Sequence, residues 1–221
     1  MSSLRIVAVA DTHLYHRDLT VPDGDVLVHC GDLCQAGTLD ELDEGLGWLR
    51  SLPHRVKILV AGNHDWAFLE HPHEARQRLE GIVYLEDAGC TELGVHFWGS
   101  PWQPAYNDWA FNLLRGAPLA AKWALIPDRV DVLLTHSPPA GIGDRGPTAG
   151  RHGCEDLAAR VRVVRPRLHL FGHIHQDGGF WEQDGTAFAN VTTWECERQP
   201  TVIDLSAERV SAVTVPPARR T

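Results

Sequence analysis

The segment LFGHIHQ, residues 170–176, determines how the rest of the chain is interpreted. An apolar run typical of a buried strand ends at a glycine, and His173 and His175 follow. Residues two apart in an extended chain point to the same side, so the two imidazoles are expected to face one site. Taken alone, the pair is better explained as two solvated histidines. The decision therefore rests on which residues follow the other strands.

Five short apolar runs alternate with helical patterns, which is typical of an α/β protein. The runs cover residues 6–10, 26–28, 56–61, 132–134 and 168–171. The motifs that follow them are DTH at 11–13, GD at 31–32, GNHD at 62–65, TH at 135–136 and GHIH at 172–175. Each motif alone is more often structural, but five in order after strands favour one site at the carboxyl ends of the strands.

The remaining segments complete the predicted architecture. Thr38 and Glu41 form a capping box before a leucine stripe, and further helices are predicted at 72–79, 117–126 and 155–164. Residues 81–100, 179–194 and 200–215 have the pattern of antiparallel strands. We expect an α/β fold of two packed sheets with helices outside. It forms one domain over residues 1–221, with a frayed tail at 215–221.

Composition limits the possible partners and the cellular location. The net charge of -9 argues against a broad nucleic-acid-binding surface, although bound divalent ions can reverse charge locally at a phosphate. The five cysteines are scattered and odd in number, as expected of reduced thiols. The first apolar run is too short for a signal peptide, and no run reaches transmembrane length. A cytoplasmic protein with no membrane partner is predicted.

The residues after the strands form a set of seven potential metal ligands. They are Asp11, His13, Asp32, Asn63, His136, His173 and His175. Seven side chains suffice for two divalent ions that share one carboxylate, and the mixture of imidazole and carboxylate suits Mn, Fe or Zn. Two such ions about 4 Å apart can hold a bridging hydroxide and clamp a phosphoryl group.

The ordered motifs DxH, GD, GNHD, H and GHxH resemble those of the calcineurin-like metallophosphoesterases. The longer stretches GSPWQPAYNDWAFNLLRG (99–116), THSPPAGIGD (135–144), RHGCEDL (151–157) and VRPRLHLFGHIH (164–175) narrow the resemblance to one branch. They are similar to the metallophosphoesterase-domain-containing proteins, which are relatives of class III cyclic nucleotide phosphodiesterases. The match extends from residue 5 to about residue 205.

The resemblance implies a four-layer α-β-β-α sandwich and a role for each motif residue. The first metal would be held by Asp11, His13, Asp32 and His175. The second would be held by Asp32, Asn63, His136 and His173. His64 would stabilise the transition state or protonate the leaving oxygen, with Asp65 orienting it.

The implied activity is a phosphodiesterase that acts on cyclic nucleotides, 2′,3′-cyclic ones especially, by attack of a metal-bridging hydroxide. Protein phosphatases of this superfamily carry GDxxDRG, whereas Gln35 and Ala36 stand in the places of that Asp and Arg. The missing Arg removes a bidentate phosphate clamp. Two alternatives stay open: a metal-dependent nuclease, which the net charge disfavours, and a low-activity nucleotide-binding scaffold, which the complete ligand set disfavours.

Several residues around the motifs are candidates for substrate contact. His16 is expected to line the pocket, and Arg145 and Arg151 lie in a glycine-rich loop where they meet a substrate phosphate or remain solvated. Four tryptophans lie near the motifs in sequence: Trp66, Trp98, Trp102 and Trp109. One of them is a candidate to stack on a nucleobase, but packing between sheet and helices is preferred for most of them.

Overall fold

The computed structural model describes residues 3–148 and 150–217. The strands are β1 Leu4–Val9, β2 Val26–Cys30, β3 Val56–Val60, β4 Val83–Tyr84, β5 Ala88–Glu92, β6 Val95–Ser100, β7 Gln103–Pro104, β8 Asn112–Leu113, β9 Val132–Thr135, β10 Leu168–Phe171, β11 Gly179–Gln183, β12 Thr186–Asn190, β13 Thr201–Leu205 and β14 Val210–Thr214. The helices are α1 Leu39–Ser51, α2 Ala67–Glu70, α3 Pro72–Gln77, α4 Ala117–Trp123 and α5 Glu155–Val164. Single turns of 3₁₀-helix lie at Tyr15–Asp18 and His175–Asp177.

Two six-stranded mixed sheets form the centre of the molecule. The first has the strand order β14-β13-β1-β2-β3-β4, and the second has the order β11-β12-β10-β9-β6-β5. In the first sheet β1 to β4 run parallel, and in the second β12, β10, β9 and β6 do. The remaining strands of each sheet pair antiparallel. The α/β prediction with two mixed sheets is confirmed.

Alternation along the strands produces the four layers. In β1, Ile6 and Ala8 pack between the sheets, whereas Val7 faces the helices. Helices α1 to α3 cover the outer face of the first sheet, and α4 and α5 cover the second, where Leu133 is buried. Complete burial of such a side chain stabilises the fold by roughly 1.5–3 kcal/mol. Layer formation therefore follows from the period of two in each buried strand.

The sequence predicts α1 in detail, apart from one contact of its cap. The Thr38 side chain accepts a hydrogen bond from the Glu41 backbone N–H at 3.2 Å, as a capping box requires. The Glu41 carboxylate does not accept a hydrogen bond from the Thr38 backbone N–H, the second contact of a capping box. Instead Oε2 accepts from the backbone N–H groups of Gln35, Ala36 and Gly37 at 2.7–3.1 Å. Glu41 therefore fixes the loop that follows β2.

The last described residues are attached to the body of the fold. The buried guanidinium of Arg198 donates to the carbonyl oxygens of Pro216 and Pro217 at 2.6 and 2.9 Å. Residues 218–221 of the predicted frayed tail lie outside the described residues. Along the described parts of the chain, no helix combines the length and the apolar character that crossing a bilayer requires.

Candidate metal centre

Asp11 and Asp32, which follow β1 and β2, have a left-handed backbone conformation. Asp11, His13 and Asp32 have φ of 56°, 45° and 56°, and His173 after β10 has φ of 69°. Left-handed backbone is costly for residues other than glycine, and such residues cluster at functional sites. These turns direct the side chains to the edge where the carboxyl ends of the parallel strands meet. Four of the predicted ligands therefore share a left-handed backbone conformation.

The Asp11 carboxylate links the first sheet to the GHIH segment. Its two oxygens accept hydrogen bonds from the His173 backbone N–H at 3.0 and 3.1 Å, and Oδ1 lies 3.6 Å from His175 Nε2. Asp11 is completely buried. Burial alone would raise its carboxyl pKa, but the charge and hydrogen bond of His175 lower the pKa below its usual range. A buried carboxylate that stays ionised suits a metal ligand.

Asp32 lies between imidazoles from both sheets. Its Oδ2 is 3.3 Å from His136 Nε2 and 3.7 Å from His13 Nε2, and its Oδ1 accepts from the His64 backbone N–H at 2.8 Å. Burial opposes ionisation of Asp32, but the charge and hydrogen bond of His136 and the charge of His13 hold its pKa well below the usual range. Asp32 therefore has the position expected of a carboxylate that two ions share.

His136 is held from both sides of its ring. Nδ1–H donates to the Cys30 carbonyl at 2.9 Å, and Nε2 lies 2.9 Å from Asn63 Oδ1. Burial lowers the pKa of His136, but Asp32 outweighs it and raises the pKa to about 9. A metal that binds Nε2 must therefore displace a proton, so metal binding is coupled to pH.

Three clusters of potential ligands are present among the described residues, and within each cluster the donor atoms lie within 4.8 Å of one another. They are Asp11, His13 and His175; His13, Asp32 and His64; and Asp32, His136 and His173. The first and third clusters each contain three of the four ligands that the sequence motifs imply for one ion. Asp32 joins the first cluster through its contact with His13, and Asn63 joins the third through its contact with His136. The structure therefore brings all seven predicted ligands together.

The hydrogen bonding of His13 also indicates that the donor atoms suit a divalent ion, independently of the motifs. His13 Nε2 is buried and has no hydrogen-bond partner among the described residues, while Nδ1 lies 3.2 Å from the Cys34 carbonyl. A buried ring nitrogen without a partner costs free energy unless it meets a ligand. Nδ1–H donation to the carbonyl leaves Nε2 as the basic nitrogen, which is the arrangement of a metal-binding histidine.

His64 lies at the edge of this centre, half-buried. Its Nδ1 lies 2.5 Å from the Gln35 carbonyl oxygen, in the loop that Glu41 fixes. The His64 ring packs against Trp109 with centroids 4.2 Å apart, and against His13 at 4.6 Å. The ring is thus oriented by a backbone carbonyl and an aromatic neighbour, which leaves Nε2 for chemistry.

Asp65 contacts backbone groups of the two loops that carry Asp32 and Asn63. It is completely buried and accepts from the N–H groups of Gly62 and Cys34 at 2.7 and 2.9 Å. Burial raises the Asp65 pKa, and the charge of Asp32 adds to that effect. The orienting contact to the His64 ring comes from Gln35, whereas Asp65 joins the loops.

Comparison with known proteins shows the family of the chain. The family model described as calcineurin-like phosphoesterase matches residues 4–177. The chain belongs to the calcineurin-like phosphoesterase family. Members are phosphoester hydrolases that use divalent metal ions, and the Asp and His clusters are groups that can hold such ions.

Relatives within the calcineurin-like phosphoesterases support the branch that the longer motifs predict. Metallophosphoesterase domain-containing protein 1 of Homo sapiens is 38% identical over 236 residues, which cover 94% of this chain and 72% of the relative. The UPF0046 protein K07C11.7 of Caenorhabditis elegans is 36% identical over 203 residues, which cover 85% of this chain and 69% of that protein. The crystal structure of TT1561 of Thermus thermophilus shares the fold, with a TM-score of 0.64, 15% identity and coverage of 96% and 98%.

Two candidate substrate residues of this calcineurin-like phosphoesterase have other partners. His16 is buried, and its ring stacks on Trp48 of α1 with centroids 4.9 Å apart. The Arg151 guanidinium pairs with the buried carboxylate of Asp144. Arg145 is exposed, and its backbone N–H donates to Asp177 Oδ2 at 2.9 Å. Of the three, Arg145 alone keeps an exposed guanidinium with no partner among the described residues.

The tryptophans divide as the sequence predicts, with most of them packed. Trp66 packs against the helix-side core of the first sheet and Trp98 against that of the second, whereas Trp102 contacts both. Trp109 contacts the ring of His64 instead. The loop between β7 and β8 thus supplies a side chain next to the proposed proton donor of this calcineurin-like phosphoesterase.

A cleft of about 420 Å³ opens beside the metal centre. Its lining includes His173 and His175 of the centre together with Tyr106, Arg115 and His152. The sequence gives no signal for Tyr106, Arg115 and His152 as lining residues, because none of them belongs to a metal-ligand motif. The position of such residues depends on long-range packing.

Gly31 provides a stability test of the centre. With φ of +96°, a Cβ at residue 31 would lie 2.4 Å from His136 Nδ1, so we expect Gly31→Ala to lower the free energy of unfolding by roughly 2–4 kcal/mol. Gly81→Ala is the matched control, because Gly81 has φ of +75° and open space, and it should cost only about 1 kcal/mol. Urea unfolding in chelator measures both. Equal losses would contradict the predicted clash.

Proposed function

We propose that this protein is a phosphodiesterase that hydrolyses small cyclic nucleotides, 2′,3′-cyclic ones first, with two divalent ions, of which Mn is the first choice and Fe or Zn alternatives. The first ion would be held by Asp11, His13, Asp32 and His175. The second would be held by Asp32, Asn63, His136 and His173. The observation that carries the proposal is the position of Asp32 Oδ2, which faces His13 and His136 at 3.7 and 3.3 Å.

The ions, when bound, would supply charge neutralisation at the phosphate and a nucleophile at neutral pH. The side chains of the protein would transfer a proton and position the reacting groups. As an imidazolium, with Nδ1–H donating to the Gln35 carbonyl, His64 would hold at Nε2 the proton that passes to the leaving oxygen. Its backbone N–H fixes Asp32 Oδ1 at 2.8 Å, so the proton donor and the shared carboxylate are positioned by one residue.

Two observations favour a small diester over a phosphorylated protein. The loop after Asp32 carries Gln35 and Ala36, so no guanidinium stands where protein phosphatases of the superfamily place one. The cleft of about 420 Å³ has the size of a small-ligand site. A net charge of -9 disfavours a long nucleic acid. These points favour a mononucleotide.

One assay with two substrates tests the proposal. The purified protein, with Mn²⁺ and separately with chelator, is given 2′,3′-cyclic AMP and the monoester 3′-AMP. We expect cleavage of the cyclic diester, little or no cleavage of the monoester, and loss of activity in chelator. Turnover of short oligonucleotides alone would favour the nuclease instead. Metal binding without turnover of any substrate would favour the nucleotide-binding scaffold.

A further inference from the structure

The cleft beside the metal centre has one prominent aromatic side chain. Tyr106 lies on its wall and is 63% exposed, and Pro104 and Pro147 provide further apolar surface. His173 and His175 line the same cleft, so a phosphate at the metal centre leaves the rest of a nucleotide near Tyr106. An exposed ring in this place is available to a ligand rather than to the protein core.

The backbone that carries Tyr106 is fixed. The Asn112 side-chain amide donates to the carbonyl oxygens of Tyr106 and Asn107 at 3.2 and 2.9 Å. Asn112 Oδ1 accepts in turn from Gln103 Nε2 at 2.9 Å. The same loop continues to Trp109, which packs on His64. The loop between β7 and β8 therefore sets both the proton donor and the exposed ring relative to the centre.

The charge of the cleft wall argues against a second phosphate as the occupant. Among the described residues that line the cleft, Arg115 is the one arginine or lysine. Its guanidinium donates to Glu155 at 2.6 Å and to the carbonyl oxygens of Gly153 and His152 at 2.8 and 3.1 Å. An oligonucleotide backbone would meet a cation that is already paired, whereas a planar apolar group would meet Tyr106.

We propose that Tyr106 is the stacking platform for the nucleobase of the substrate, and that it gives the enzyme its preference for nucleotides over phosphodiesters without a base. This inference rests on the proposed function and deepens it. Aromatic side chains bind every base through its π-face, so stacking predicts little discrimination among bases. Loss of one such contact corresponds to roughly 5- to 150-fold in binding.

The test compares 2′,3′-cyclic AMP with ribose 2′,3′-cyclic phosphate, which keeps the reacting group and lacks the base. We expect Tyr106→Ala to lower kcat/KM for 2′,3′-cyclic AMP relative to kcat/KM for ribose 2′,3′-cyclic phosphate by roughly 10- to 100-fold, because KM for cyclic AMP rises. Tyr106→Phe keeps the ring and should keep the ratio. Leu114→Ala is the surface control, because Leu114 is 71% exposed and is not among the cleft-lining residues.

Two outcomes overturn the inference. An unchanged ratio in Tyr106→Ala shows that the ring does not contact the base, and an equal rise of KM for both substrates shows a structural effect of the loop. If the wild type hydrolyses neither substrate, the proposed function fails separately. Calorimetry then measures the dissociation constants of 3′-AMP and ribose 3-phosphate. An equal rise of both dissociation constants in Tyr106→Ala overturns the assignment of Tyr106 as the stacking platform.

Discussion

His64→Ala is expected to lower kcat for 2′,3′-cyclic AMP by about 10²- to 10⁴-fold, the range of general acid catalysis, while the bound metal stays at the wild-type level. The backbone N–H of residue 64 that holds Asp32 Oδ1 is retained in the alanine variant. The variant therefore removes the proposed proton donor and keeps the hydrogen bond that supports the Asp32 carboxylate. Steady-state kinetics and elemental analysis of the same sample measure the two quantities.

The control for this variant is His73→Ala. His73 is exposed on α3, and its ring contacts Gln77, away from the centre. Its kcat should equal that of the wild type. Turnover at the wild-type level in His64→Ala would remove His64 from the mechanism. Loss of metal together with turnover would assign His64 a role in the metal centre instead.

Asp32→Ala should have the larger effect, with metal content below two ions per chain and activity at background. The substitution removes the carboxylate that faces His13 and His136, and it leaves the His64 N–H without its acceptor. Removal of one partner from a buried charged network costs about 3–5 kcal/mol. Elemental analysis after dialysis measures the metal, and thermal unfolding in chelator measures the stability.

Two variants calibrate the effect of Asp32→Ala. Asp32→Asn retains an oxygen for the His64 N–H but loses the charge, so it should preserve more stability than the alanine variant and still bind metal poorly. Asp128→Ala removes a surface carboxylate paired with Arg160, and it should change stability by no more than about 1 kcal/mol. Two ions per chain in Asp32→Ala would refute the assignment of Asp32 as the shared ligand.

The parts of the fold that follow local rules are predictable from the sequence. The buried strands, the antiparallel pair β11 and β12 within residues 179–194, and the N-cap of α1 at Thr38 all depend on residues close in the chain. Helices α3 and α4 end earlier than predicted, at Gln77 and Trp123, because helix ends depend on tertiary contacts. The proximity of the seven candidate ligands was predictable because each lies within a few residues of the carboxyl end of a strand.

Contacts between distant residues were not predictable in the same way. Whether Arg151 meets a phosphate or Asp144, and whether His16 faces the cleft or Trp48, depends on loops that pack only in the folded chain. Glu41 has the spacing of a capping box but finds three backbone N–H groups of a neighbouring loop. In each case a nearby partner outcompetes the one that the local pattern suggests.

The left-handed backbone of Asp11, His13, Asp32 and His173 sets a conflict between durability and activity. Glycine would adopt these conformations with less strain, but at Asp11 and Asp32 it would also remove carboxylates that accept backbone hydrogen bonds. Selection for thermal stability alone would therefore favour glycine at His13 and His173. Selection for the reaction must oppose that change, because glycine offers no ligand atom. At these two histidines, the substitution that would favour stability is therefore the one that selection for the reaction opposes.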